Sequence, residues 1–82
     1  MSSQVLIVYY RERCHLCEQV VASLLLLQKE LKYEIEQIDI DNDPKLREKY
    51  NVDVPVVTYQ GEVVFYHFFD ETALKQALQE NH

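Results

Sequence analysis

Hydrophobic and polar positions follow two different periods along this chain, and each change of period marks an element. Val5-Leu6-Ile7-Val8-Tyr9 is a continuous apolar run rich in β-branched residues, the pattern of a strand covered on both faces and so central in its sheet. Over about 16–32, apolar residues recur at Val20, Val21, Leu24, Leu27 and Leu31, with Glu18, Gln28 and Lys32 spread over the remainder. This helical spacing predicts the longest helix. In Glu34-Ile35-Glu36-Gln37-Ile38-Asp39-Ile40 the apolar residues Ile38 and Ile40 keep period two, which suits an exposed second strand. Asp43-Pro44 then supplies an N-cap and a proline at the first helical position, opening a short helix through Leu46 to about Tyr50.

Val54-Pro55-Val56-Val57-Thr58-Tyr59 and Val63-Val64-Phe65-Tyr66 are β-prone runs joined by Gln60-Gly61-Glu62, the signature of a hairpin. Asp70 caps a closing helix whose face is marked by Leu74, Ala77 and Leu78 and which ends near Glu80. The order β-α-β-α-β-β-α predicts an α/β fold with a four-stranded mixed sheet flanked by helices. Its first two strands should be parallel through a right-handed crossover, and its last two antiparallel. No internal repeat, linker or low-complexity stretch interrupts it, so residues 1–82 read as a single domain.

Composition narrows the function classes. A 48% apolar fraction with 27% charged residues is ordinary for a globular chain and unlike a disordered one. Fourteen acids against eight bases leave a charge of −6, the wrong sign for releasing counterions from a phosphate backbone or docking on anionic lipid. Nucleic-acid and membrane partners are therefore not expected. The longest apolar stretch, 20–27, is interrupted by Ser23 and far shorter than the roughly 20 residues that cross a bilayer. Before the first strand stand only Met1, Ser2, Ser3 and Gln4, with no basic region or small-residue cleavage site, so a cytoplasmic location is expected. The single glycine, Gly61, excludes glycine-rich phosphate cradles.

The two cysteines sit three apart in Cys14-His15-Leu16-Cys17. A disulfide between them closes so short a loop that the chain-entropy formula gives it only about 2 kcal/mol. In a reducing compartment such a pair is more often catalytic or metal-binding than structural. It lies where the first strand gives way to the first helix, where free amides and the positive end of the helix dipole stabilise an anion. Thiolate is the attacking species in disulfide exchange, and thiol pKa values in such motifs fall from about 8.5 to roughly 3.5–7.5. Residues 9–17 contain no Ser, Thr, Asp or Asn, the usual caps. The Cys14 sulfur itself is thus expected to cap the helix by accepting the Cys17 amide. Arg11 and Arg13 favour the anion, while Glu12 and Glu18 oppose it. Spacing of three puts Cys17 on the same face, a less exposed resolving thiol. His15, when charged, would favour the thiolate further; equally it is a solvated helix-start residue.

These residues resemble a known family. Tyr-Tyr-Arg-Glu-Arg-Cys-His-Leu-Cys-Glu at 9–18, Val52-Asp53-Val54-Pro55-Val56 and Phe68-Phe69-Asp70 are similar to the small glutaredoxin-like proteins of the thioredoxin superfamily, and the similarity covers nearly the whole chain. It implies a thioredoxin fold and a thiol-disulfide oxidoreductase, with Cys14 as nucleophile, Cys17 as resolver and Pro55 as a cis-proline facing them. A cis Val54–Pro55 bond would expose the Val54 backbone to an extended peptide or to glutathione, in the manner of an added strand. Substrate-binding positions are then Arg11, Arg13, His15, Val54 and Pro55. The partners implied are glutathione or a protein disulfide, and thioredoxin reductase. No bound cofactor or metal is expected, glutathione is the candidate reductant, and a monomer suffices. Two departures from ordinary glutaredoxins bear on glutathione. Asp53 replaces the threonine before Val-Pro and adds negative charge, and His67-Phe68-Phe69 replaces a Gly-Gly turn that allows close backbone approach. Arg11 or Arg13 remains available for a carboxylate.

Other features weigh less. Asp39, Asp41 and Asp43 alternate like a calcium loop, but Pro44 stands where its glycine belongs and Tyr50 where its glutamate belongs. Cys14, His15 and Cys17 are three soft ligands without a fourth; a metal, or an iron-sulfur cluster shared by two chains, is the reading from another class, alongside a non-enzymatic redox sensor on the same fold. The aromatic run 65–69 reads as an edge strand and core anchors rather than as a docking surface. His67 and His82 have no evident catalytic partners.

Overall fold

Alternate burial makes β1, Gln4–Tyr10, the strand on which the rest is assembled, with Leu6 and Val8 fully buried. This computed structural model describes residues 4–79. β1 pairs in parallel with β2, Tyr33–Asp39, from Gln4 opposite Tyr33 to Tyr10 opposite Asp39. On its other side it pairs antiparallel with β3, Val56–Tyr59, which in turn pairs antiparallel with β4, Glu62–Tyr66. The order β2-β1-β3-β4 is the mixed sheet expected from the sequence, with β1 inside it. β2 is an edge strand and carries Glu34, Glu36 and Gln37 exposed. The hairpin turn consists of Gln60 and Gly61, at φ 53° and 83°, the pair of positive angles that matches strand twist.

Among the described residues three α-helices cover the sheet: α1, His15–Leu31, α2, Pro44–Tyr50, and α3, Glu71–Gln79. The expected end of α3, near Glu80, lies outside the described residues, as do Met1, Ser2, Ser3 and His82. Asp43 Oδ1 accepts the Lys45 amide at 2.9 Å and Asp70 Oδ1 the Ala73 amide at 3.0 Å, so both expected caps are in place. One core cluster joins Leu6, Val8 and Val57 to Val20 and Leu24 of α1 and Leu74 and Leu78 of α3. Each such burial contributes about 1.5–3 kcal/mol. A second cluster, of Cys17, Ile40, Tyr50, Val54 and Val56, lies under the cysteine pair. Among the described residues no helix is long and apolar enough to cross a membrane.

Of the boundaries that differ from the period-based reading, three bear on the core or the site. Ile40 is not in the strand: β2 stops at Asp39, whose Oδ1 accepts the Asp41 amide at 2.9 Å and opens a 3-10 turn, Ile40–Asn42. That turn directs Ile40 into full burial. β3 begins at Val56, leaving Val54 and Pro55 ahead of its ladder. β2 begins one residue early, at Tyr33, which is buried and donates its hydroxyl to the Leu24 carbonyl. Burial pushes this phenol up to about 12. Lys32, at φ 57°, closes α1 by donating to the Gln28 carbonyl at 2.8 Å. The aromatic run is divided: Phe65 is buried and meets Phe69 edge-on at 5.7 Å, while Tyr66 and Phe68 are exposed.

Candidate functional site

β1 ends at Tyr10 and α1 begins at His15, so four residues must turn the chain and start the helix. Arg13 takes a left-handed φ of 60°, and Cys14 follows in extended geometry as the N-cap. Its Sγ accepts the Cys17 amide at 3.2 Å and its carbonyl accepts the Glu18 amide at 3.1 Å. The sulfur therefore occupies the capping place that the absence of Ser, Thr, Asp and Asn left open. It sits at the positive end of the 17-residue α1, where an anion is stabilised.

Cys14 and Cys17 form a disulfide, their Cα atoms 5.2 Å apart. They differ in access: Cys17 is 3% exposed against Ile40, Tyr50, Val54 and Val56, whereas Cys14 is half-buried at the edge of that cluster. Of a reduced pair, Cys14 is thus the sulfur an incoming disulfide can reach. Both cysteines line a cleft of about 470 Å³ between the β1–α1 turn, the first half of α1 and Gln37 of β2.

The other sequence-derived positions are distributed around this pair. Val54 shares the buried cluster of Cys17, and the Val54–Pro55 peptide is cis. The Pro55 side chain is fully buried, and its carbonyl accepts the His67 amide at 2.8 Å. Arg13 is exposed at the cleft and pairs with no acid among the described residues. Arg11 also lines the cleft, but its guanidinium is held by Asp41 at 3.0 Å and by Asn51 at 3.3 Å. His15 points outward, its ring 3.1 Å from the side-chain Nε2 of Gln19 and 3.9 Å from the Glu18 carboxylate. His67 has an acidic neighbour after all, Asp53 at 4.0 Å.

Two features of the site have no local signal in the sequence. Asp41 reaches Arg11 from thirty positions away, and neither residue type marks that contact in advance. Leu25 and Val21 border the cleft, but the unbroken run Leu24-Leu25-Leu26-Leu27 hides which leucines face out. Leu24 is fully buried, while Leu25 and Leu26 are 54% and 83% exposed. The alternating aspartates each have a separate contact: Asp39 and Asp43 cap turns, and Asp41 pairs with Arg11. Among the described residues no three His, Cys, Asp or Glu side chains gather as a metal site would require.

A model of the glutaredoxin-like domain matches residues 5–79. Among solved structures, protein Ne2328 from Nitrosomonas europaea is similar over 94% of this chain and 93% of its own, with 37% identity and a TM-score of 0.86. Protein XcR50 from X. campestris is 28% identical over 94% of this chain and 99% of its own, at TM-score 0.75. The germline-specific thioredoxin Deadhead from Drosophila melanogaster shares the fold at 21% identity and TM-score 0.60, over 98% of this chain and 82% of its own. No curated protein matches. A four-stranded mixed sheet with three helices and a cysteine pair at the first strand-to-helix junction, matched along nearly its whole length, places this chain in the glutaredoxin-like domain family, on a thioredoxin fold.

Proposed function

We propose that this protein is a thiol-disulfide oxidoreductase that exchanges electrons through Cys14 and Cys17. A glutaredoxin-like thioredoxin fold with such a cysteine pair suggests redox function. The observation that carries the finer reading is the asymmetry of the pair: one sulfur caps a helix at the edge of a cleft, and the other is buried beneath it.

In the reducing direction the Cys14 thiolate attacks one sulfur of a substrate disulfide. That bond breaks, the first substrate thiolate leaves, and a Cys14–substrate disulfide forms. Cys17 gives up its proton and attacks Cys14 Sγ, which frees the second substrate thiolate and leaves the intramolecular disulfide. Two electrons pass to the substrate, and the leaving thiolates take up protons from water. Glutathione or a thioredoxin reductase returns two electrons to the pair. The scheme needs neither a metal nor a prosthetic group, and one chain contains both sulfurs.

Turnover tests the proposal. With glutathione and its reductase, or with thioredoxin reductase, the protein should reduce a glutathione mixed disulfide or a protein disulfide catalytically. Cys14→Ser should abolish both activities, and Cys17→Ser should retain at most the one-thiol reaction with glutathione. Stoichiometric oxidation without turnover under either supply would sink the enzymatic reading in favour of a redox sensor.

A further inference from the structure

We infer that the cleft beside the disulfide selects polypeptide disulfides with an aliphatic and a basic residue next to the reacting cysteine, in preference to glutathione disulfide. The inference rests on the exchange chemistry proposed above and adds its substrate class. The cleft, about 470 Å³, lies within the roughly 300–1,000 Å³ usual for binding sites. It is continuous with the reacting sulfurs, since Cys14 and Cys17 both line it. From there its wall runs along α1 through Val21 and Ala22 to Leu25, one stripe at helical spacing. Leu25 is 54% exposed, so an apolar group seated there would remove further apolar surface from water.

Charge decides which apolar group. Arg11 is already neutralised by Asp41, so Arg13 is the one cation of the cleft without an acidic partner among the described residues. Against it stand the exposed carboxylates of Glu12 and Glu18, Glu18 having only the distant, solvent-exposed His15 ring at 3.9 Å. The chain as a whole carries −6. Glutathione disulfide has more carboxylates than ammonium groups and little aliphatic surface, so it meets repulsion at the mouth and gains little from the wall. A peptide with leucine and arginine beside its cysteine matches both features, and like-charge exclusion suppresses the anionic competitor.

Single-turnover rates of the reduced protein test this without an added electron donor. Thiol loss is followed by acid quenching, alkylation and mass spectrometry. The probes are a cyclic disulfide peptide with Leu and Arg flanking its cysteines, the same peptide with Ser and Glu there, and glutathione disulfide. The Leu-Arg peptide should react about tenfold faster than either of the others, roughly the worth of one buried aliphatic side chain. In Leu25→Asn, which removes the aliphatic wall without adding charge, that ratio should fall about three- to fivefold. Equal rates in the wild-type protein, faster reaction with glutathione disulfide, or a ratio unchanged in Leu25→Asn would each overturn the inference while leaving the exchange reading standing. No reaction with any probe would overturn both.

Discussion

The backbone amide of His67 donates to the carbonyl of Pro55 at 2.8 Å, which ties the turn after β4 to the residue just ahead of β3. His67 makes this bond at φ 61°, a left-handed conformation that costs a side-chain-bearing residue about 1–2 kcal/mol. His67→Gly should therefore raise stability toward urea by about 0.5–1 kcal/mol, since the solvent-exposed pair with Asp53 adds little. His67→Pro, which removes the N–H and forbids the angle, should lower it by about 3 kcal/mol. A glycine variant less stable than the parent would show that the imidazole, rather than the backbone, holds this turn.

Tyr33 gives the protein an alkaline limit. Its phenol is buried and raised to about 12 in the folded state, against about 10 in an unfolded chain. Between those values the unfolded state binds fewer protons, so the contribution is complete below about pH 10 and falls away as pH rises toward 12. Urea titrations should show stability declining over this window by up to about 2–3 kcal/mol. In Tyr33→Phe this limb should be absent, at a cost of about 1 kcal/mol at neutral pH for the hydrogen bond to Leu24.

Ile40 is fully buried in the cluster under Cys17. Ile40→Ala should cost about 2–5 kcal/mol and Ile40→Val about 0.5–1.5 kcal/mol, measured by chemical denaturation. The alanine variant should also alkylate faster at reduced Cys17, because the cavity loosens the surface that covers it. Unchanged protection of Cys17 would locate its shielding in α1 alone.

Asp41 pairs with the guanidinium of Arg11, which lines the cleft. Asp41→Asn should change stability by no more than about 1 kcal/mol, as exposed ion pairs do. It should raise the single-turnover rate with glutathione disulfide about two- to fivefold at low salt, and the gain should shrink at high ionic strength. A rate unaffected by the substitution would mean that Arg11 does not reach the substrate even when released.

Much of this arrangement was legible in the chain because local rules and tertiary needs agree. The apolar run 5–9 sits inside the sheet, Asp43-Pro44 starts α2 and Asp70 caps α3. The missing cap residues before α1 correctly pointed to the Cys14 sulfur. What stayed hidden depends on partners distant in sequence or on a backbone angle without its usual residue. Period two at Ile38 and Ile40 looks like a strand, yet the Asp39 side chain turns the chain first and sends Ile40 into the core. His67 takes a glycine's conformation without being glycine. The cleft wall was obscured because four consecutive leucines satisfy any helical face, and only the position of the sheet decides which are covered.

The acidic outer rim of β2 has a consequence for crowded conditions. An open strand border is a template on which a further chain can be added. Here a newcomer of the same kind would bring its own Glu34 and Glu36 against those already there. Electrostatic repulsion along that border opposes ribbon-like growth from this side, so charge guards the otherwise unprotected flank.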